Sequence, residues 1–372
     1  MSHPTASAPD LAAITATFAV SGSFERGTAH GTGHINDSYV VTIRPATGEP
    51  ERHLLQRIND RIFRNVPAVM ENIRRVTAHA ASRLAGTPDA ARRTLTLVPA
   101  RTGETWHRDA SGGWWRCYRF IEGSTAHEVI STPDQAHTAA LAYGAFQALL
   151  ADLPGGRLHE TIPDFHHTPK RFAAFRAALI ADPHGRAATC AEVTAFALAR
   201  EPMAGVLTDL QARGAIPERI THNDTKLSNV LLDEATGTAL CVVDLDTVMP
   251  GLALHDFGDM VRSATSPVAE DECDLARVTM QLPLFRALAE GYLESAAFLN
   301  PVERAHLAFA GRLITYEQGL RFLTDHLLGD TYYKIQRPGH NLDRARNQFA
   351  LLRSMEEQTD AMQQVIDRLA PA

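Results

Sequence analysis

Residues 220–259 read ITHNDTKLSNVLLDEATGTALCVVDLDTVMPGLALHDFGD. Two apolar runs, Val230-Leu231-Leu232 and Leu240-Cys241-Val242-Val243, flank Glu234-Ala235-Thr236-Gly237. This pattern predicts a strand, a turn and a strand. The polar loop 222–229 feeds the first strand, and Asp244 and Asp246 leave the second. A hairpin therefore brings the loop and the acidic pair to the same end.

The loop has an order suited to phosphoryl transfer. Asp224, Lys226 and Asn229 form D-x-K-x-x-N, preceded by His222. In a kinase catalytic loop an Asp accepts the proton of the attacking hydroxyl, and an Asn five residues on holds magnesium. A second Asp, after the next strand pair, holds the metal against the phosphates. Asp244, fifteen residues beyond Asn229, stands at about the right distance for that role. Magnesium takes a few hard oxygen ligands together with phosphate oxygens, so one Asn and one Asp suffice. Lys226 is the candidate for stabilising charge on the transferring phosphate. The bland alternative is a solvated turn with chance acidic residues. His222, the hairpin and D-x-D together speak against it.

H-N-D-T-K-x-x-N-V, followed by V-D-L-D-T-V-M-P-G and D-F-G-D, resembles the phosphotransferase family related to aminoglycoside and choline kinases. Within it, the stretch is most similar to the N-acetylhexosamine 1-kinases. The resemblance implies an α+β, bilobal protein-kinase-like fold. A small antiparallel-sheet N-lobe, 1–121, would precede a larger, mainly helical C-lobe, 122–372. It also implies ATP as co-substrate, Mg²⁺ as cofactor, and a free amino sugar phosphorylated on its anomeric hydroxyl. Asp256-Phe257-Gly258 comes twelve residues after Asp244, so it is not assigned to metal. It reads instead as the start of a helix over 256–263 with Asp256 as N-cap.

At 372 residues the chain is long enough for two lobes with their own cores. Its 45% apolar and 21% charged composition is that of an ordinary globular protein. No long apolar run is present, so no membrane span is expected, and the N-terminus does not read as a signal peptide. Four scattered cysteines without metal-ligand spacing read as free thiols of a cytoplasmic protein. A net charge of −7 disfavours nucleic acid as a partner. The expected partners are a sugar and a nucleotide, with a monomer slightly favoured.

In the N-terminal part, Gly31, Gly33 and His34 open an alternating segment, 35–43, that reads as a strand. Glycines between two strands let backbone amides approach phosphates, and G-x-G-H-I-N-D-S-Y resembles the phosphate loop of the amino-sugar kinases. A third strand, 53–59, carries Gln56 and Arg57 where kinases carry a Lys. No lysine precedes Lys170. Arg57 is the better charge replacement, with Gln56 as a neutral alternative. A helix over 66–84 carries Glu71, a candidate partner for Arg57. Strands over 94–98 and around an Ala110–Gly113 turn complete the small lobe. Glu122 sits at the expected junction, where a nucleotide base would meet main-chain groups.

The remainder reads as helical, over 133–150, 168–180, 188–199, 202–213, 278–298 and 301–324. The adjacent His166 and His167 show no chelating pattern and stay unassigned. R-F-L-T-D-H-x-x-G-D-x-Y-Y-K resembles the C-terminal signature of the amino-sugar 1-kinases. Arg321, Asp325 and Tyr332 are its candidate sugar contacts, with Thr247 added by its place beside the acidic pair. Interhelix ion pairing, such as Arg321 with Asp325, is the structural alternative. Two other functions compete. One keeps the fold and changes the acceptor to choline, homoserine or an aminoglycoside, where a cationic acceptor would want an acidic or aromatic cage. The other is a nucleotide-binding pseudokinase, against which the intact Asp224, Asn229 and Asp244 argue.

Overall fold

A computed structural model describes residues 9–31, 35–127 and 129–369. The chain divides into two compact units, Met1–Gly123 and Ser124–Ala372.

The first unit begins with α1 (Leu11–Thr15), where the Asp10 side chain caps the helix by accepting from the Ala13 amide at 3.0 Å. Strands β1 (Ser23–Ala29), β2 (Asp37–Arg44) and β3 (Glu51–Ile58) follow, then α2 (Val66–Leu84). Three more strands close the unit: β4 (Leu97–Val98), β5 (His107–Arg108) and β6 (Trp114–Arg119). The sheet runs β1-β2-β3-β6-β4, all antiparallel, with β5 paired to β6. Helix α2 spans the expected residues. Asn65 caps it, a proline opens it, and Val69, Met70, Ile73, Val76 and Ala80 are buried at helical spacing. The chain turns out of α1 to bury Phe18, which bridges to Ala100. Phe18 joins Ile14, Val41, Leu55, Trp115 and Cys117 in the core on one sheet face.

The second unit opens with β7 (Ser124–Thr125), α3 (Pro133–Leu150), α4 (Thr168–Ala181), α5 (Ala191–Leu198) and α6 (Val206–Ala212). Strands β8 (Arg219–Thr221), β9 (Val230–Asp233), β10 (Ala239–Val242) and β11 (Met249–Gly251) carry the motif stretch. Helices α7 (Ala253–Ala264), α8 (Leu282–Ser295), α9 (Pro301–Ala305), α10 (Leu307–Leu327), α11 (His340–Glu357) and α12 (Thr359–Leu369) complete it. The expected single helix over 301–324 is two, broken at His306. The first of these is a capping-box turn in which Asn300 and Glu303 exchange bonds, and Glu303 also pairs with Arg219 at 2.7 Å. No helix among the described residues is long and apolar enough to cross a membrane.

The predicted hairpin is present. Strands β9 and β10 pair antiparallel, Val230 opposite Val242, and β7 adds a third strand on the β9 side. Strands β8 and β11 form a separate ladder with Thr221 opposite Met249. Gly251 is required there, since a Cβ would collide with Thr221 Oγ1. Helix α3 packs against α8 with the same need for small residues. A Cβ at Gly291 would run into the His137 carbonyl. Backbone cannot yield as a flexible side-chain tip can, so Gly291→Ala is expected to lower stability by about 1–3 kcal/mol. Urea unfolding monitored by tryptophan fluorescence measures it, with an unchanged m-value indicating a loss confined to packing.

Candidate active site

The loop 222–229 is fastened from below by α7. The sequence suggested that this helix begins at Asp256, but it begins at Ala253, three residues earlier. Asp256 therefore lies in the first turn, fully buried, and does not cap its own helix. Its carboxylate accepts from the backbone amides of His222 (2.8 Å) and Asn223 (2.7 Å), and from Gln147 Nε2 on α3 (2.6 Å). Its carbonyl accepts from Thr225 Oγ1 at 2.6 Å. One turn on, Asp259 accepts from the Thr225 amide at 2.9 Å and pairs with Arg262 at 2.8 Å. Burial pushes the Asp256 carboxyl up, against the pull of His222, Asn223 and Gln147.

This fastening holds an unusual backbone. Asn223 and Asp244 are both left-handed, at φ 66° and 60°, a conformation that costs a non-glycine residue about 1 kcal/mol or more. Asn223 is fixed further by its side chain, which donates to the carbonyls of Thr247 (2.8 Å) and Thr221 (3.2 Å). His222 ties the two strained residues together. Its Nε2 donates to the Val243 carbonyl at 2.9 Å, and its Nδ1 accepts from the Asp224 amide at 3.3 Å.

Above this base the expected catalytic residues meet. Asp224 Oδ2 lies 3.0 Å from Lys226 Nζ and accepts from Asn229 Nδ2 at 3.1 Å. Asn229 Nδ2 also donates to the Asp224 carbonyl at 2.9 Å, which leaves its amide oxygen as the group available to a further ligand. Burial works against ionisation of Asp224, but Lys226, His222 and the Asn229 bond outweigh it and hold the carboxyl below the usual range. Lys226 is held charged chiefly by Asp224 and also by Asp244, against the cost of burial. Tyr143 on α3 donates to the Lys226 carbonyl at 2.7 Å. Burial raises its hydroxyl far above the ordinary tyrosine value, and Asp224, Asp256, Asp259 and Asp244 add to the shift. Asp246 is buried beside them.

The remaining candidates have varied placements. Thr247 is buried with its hydroxyl unpartnered. Arg321, on α10, lies against the rings of Phe165, Tyr333 and Tyr332, with centroids at 5.0, 5.7 and 6.0 Å. Asp325 does not pair with Arg321. Its two oxygens accept from the amides of Thr331, Tyr332 and Tyr333 and from Asn341 Nδ2, which makes it the brace of the loop after α10. Tyr332 is 53% exposed.

In the N-terminal unit Gly31 is left-handed with open space around it, whereas Gly33 and His34 lie outside the described residues. Arg57 shares a sheet face with Leu55 and sits opposite Trp115, on the side that Ile14 and Phe18 cover. Among the described residues no ion pair joins it to Glu71, because its guanidinium lies against Gly113 instead. Gln56, on the other face, accepts from Arg116 Nε at 2.9 Å and donates to Ser38 at 2.8 Å. Arg116 is a buried guanidinium that sequence reasoning passed over. Glu122 pairs with Arg52, and its carbonyl accepts from Arg92 at 3.1 Å.

Sequence reasoning also missed the supports behind the loop. His166, unassigned above, lies between Glu317 and the Asn223 carbonyl. Burial would raise the Glu317 carboxyl, but His166 and Thr168 bring it down to about 2. The neighbouring His255 is pushed down to about 3, by burial first and then by His166.

Comparison with known proteins agrees with this geometry. Residues 26–296 match the model of the phosphotransferase enzyme family. Among solved structures, an aminoglycoside phosphotransferase from Alicyclobacillus acidocaldarius superposes with a TM-score of 0.60 at 14% identity, covering 96% of this chain and 98% of that one. A spectinomycin phosphotransferase in complex with ADP and spectinomycin gives 0.55 at 11% identity, with 90% and 94% covered. An amicoumacin kinase in complex with AMP-PNP and Ca²⁺ gives 0.55 at 13% identity, with 93% and 92% covered. The chain belongs to the phosphotransferase enzyme family, and its fold is protein-kinase-like, with an antiparallel-sheet N-terminal region and a helical C-terminal region.

Two expectations follow from the supports. Asp256→Leu removes the acceptor of three buried donors, which is expected to lower stability by about 3 kcal/mol or more in urea unfolding. Acid should weaken the fold in two windows. Unfolded histidine takes a proton below about pH 6.5 and native His255 does not, so stability falls from there towards pH 3. The depressed Glu317 carboxyl adds a loss between about pH 4.3, the unfolded value, and pH 2. In melting temperature measured against pH, His255→Gln should flatten the upper window and leave the lower one.

Proposed function

We propose that this family member transfers the γ-phosphate of ATP to the anomeric hydroxyl of a free N-acetylhexosamine, giving a sugar 1-phosphate. The observation that carries the phosphotransfer is the Asp224 carboxylate, held ionised between Lys226 and the Asn229 amide on a fastened loop. Asp224 accepts a hydrogen bond from the acceptor hydroxyl, turns it towards the phosphorus and takes its proton as the new bond forms. A carboxylate of low pKa is adequate, because positioning and charge neutralisation supply most of the rate. Lys226 keeps its charge beside the transferring phosphate.

The Asn229 amide oxygen and the Asp244 carboxylate are hard oxygen donors that fit a magnesium ion. Such an ion, when bound, neutralises the phosphate oxygens. The sequence motif containing Gly31, Gly33 and His34 is read as the phosphate contact of the N-terminal unit. Arg57 and Gln56 remain the alternatives there for the missing lysine.

A sugar acceptor is favoured over a cationic one by the surroundings of Arg321. The aromatic faces that could receive an ammonium group already hold a guanidinium, and Arg171 is close enough to be depressed by it, although burial is the larger cause. The orphaned Thr247 hydroxyl suits a neutral hydroxylated ligand.

A coupled assay for ADP release, with magnesium, ATP and a panel of free hexoses and N-acetylhexosamines, tests this reading. Phosphorus NMR of the product is expected to show a sugar 1-phosphate. Turnover confined to choline, ethanolamine, homoserine or aminoglycosides would overturn the sugar assignment. Asp224→Asn is expected to lower kcat at least about 1000-fold while ADP–magnesium binding by calorimetry stays within about threefold. Substantial residual turnover would remove Asp224 from its role.

A further inference from the structure

We propose that His166, braced by Glu317, is a positioning residue that fixes the peptide carrying the catalytic carboxylate. The inference rests on the reading of Asp224 given above. The Asn223–Asp224 peptide group is held at both ends by imidazole. Its N–H donates to His222 Nδ1 at 3.3 Å. Its carbonyl faces His166 Nε2 at 3.2 Å. His166 Nδ1 is 2.8 Å from Glu317 Oε1, and Glu317 Oε2 accepts from Thr168 Oγ1 at 2.6 Å.

Both oxygens facing the His166 ring can only accept, one being a carbonyl and the other an ionised carboxylate. The ring therefore donates from both nitrogens, and Glu317 supplies the negative charge that makes a double donor stable in a buried place. The side chains of His166 and Glu317 are 6% and 1% exposed, so water does not compete for these bonds. The carbonyl that His166 holds belongs to Asn223, whose left-handed backbone sets the course of the next Cα. Rotation of this one peptide plane would swing Asp224 Oδ2 away from Lys226 and Asn229. A strained residue keeps its conformation only when its surroundings over-determine it, and His166 closes the side of Asn223 that Asp256 and Thr247 leave open.

The test uses three variants of the full chain, His166→Ala, His166→Gln and Glu317→Gln, with ATP and the acceptor that the wild type turns over. A catalytic group displaced by about 1 Å loses about 100-fold in rate. His166→Ala is therefore expected to lose about 100-fold in kcat, with KM for ATP and acceptor within about twofold. Glutamine keeps a donor near the position of Nε2, so His166→Gln is expected to recover most of the loss. Glu317→Gln is expected to fall between them. Full kcat in His166→Ala, or a glutamine variant as slow as the alanine one at equal melting temperature, would overturn the proposal. Should the alanine variant fail to fold, the glutamine pair decides, because equal wild-type kcat in both would also overturn it. Imidazole nitrogen-15 NMR reads the same device without turnover. Two protonated nitrogens on His166 are expected in the wild type, with one lost in Glu317→Gln. A ring with one unprotonated nitrogen in the wild type would overturn the double donor even if no acceptor in the panel is phosphorylated, an outcome that by itself counts only against the sugar kinase reading.

Discussion

The carboxylate of Asp256 is the fixed point on which the catalytic loop depends. It sits on α7, fully buried, and receives two consecutive backbone amides and a side-chain amide from α3. Consecutive amides seldom point the same way in extended chain, so a single acceptor for both imposes a bend. The bend is the left-handed Asn223. A buried carboxylate is costly without partners, and backbone donors in a dry site are costly without an acceptor. Each cancels the penalty of the other. The loop is thus anchored by mutual need, and α7 is anchored in turn. Gly258 lets it approach α10 closely enough that a Cβ would touch the Ala310 carbonyl, and Phe257 is buried beside Tyr292 and Phe285. All four residues of D-F-G-D have separate duties: Asp256 and Asp259 hold the loop, while Phe257 and Gly258 seat the helix.

That arrangement concentrates negative charge. Asp224, Asp244, Asp256 and Asp259 all act on the buried Tyr143 hydroxyl. The Asp256 carboxylate is satisfied by amide hydrogen bonds, and Asp259 is paired with Arg262. Lys226 is shared between Asp224 and Asp244, and its side chain is 46% exposed.

The sequence alone showed the hairpin and the span of α2, because strand alternation, a glycine turn and a capped helix are local signals that tertiary packing here reinforces. It misread Asp256. An Asp ahead of a helical pattern defaults to N-cap, and nothing local reveals that Ala253-Leu254-His255 extends the helix backwards. Asp325, a candidate sugar contact by resemblance, accepts from the amides of Thr331, Tyr332 and Tyr333 and from Asn341 Nδ2, partners that spacing alone does not announce. The pairing of His166 with Glu317 spans 151 residues, and that with Asn223 spans 57. Contacts of that range leave no trace in spacing. The one available hint was a pair of histidines with no chelating pattern, for which burial against an acceptor was the alternative left unconsidered. Gln56 and Arg57 lie on opposite faces of β3, and which of those faces α1 covers depends on Phe18 turning back to Ala100, a contact no local pattern shows.

The proposed acceptor end is organised by α10. Glu317 and Arg321 lie one turn apart on it. Glu317 braces His166, and Arg321 lies against the ring of Phe165, the residue just before. Two consecutive loop residues thus connect the support of the catalytic peptide to the proposed acceptor-binding arginine. Arg171 donates to the Phe165 carbonyl at 2.8 Å, which stiffens the same dipeptide from the α4 side. In the proposed function, the two guanidinium groups of this region repel an ammonium ligand and donate to hydroxyl and amide oxygens, while the aromatic rings offer flat faces to a sugar ring. The buried Thr247 hydroxyl points to the same chemistry from the catalytic side. It belongs to the residue whose carbonyl receives Asn223, and a hydroxyl without a partner there is satisfied by a ligand that brings its own polar group. An acceptor touching both would register against α10 and against the catalytic loop at once. In the proposed function, the shared frame of Phe165, His166 and Asn223 would then fix its reacting hydroxyl relative to Asp224.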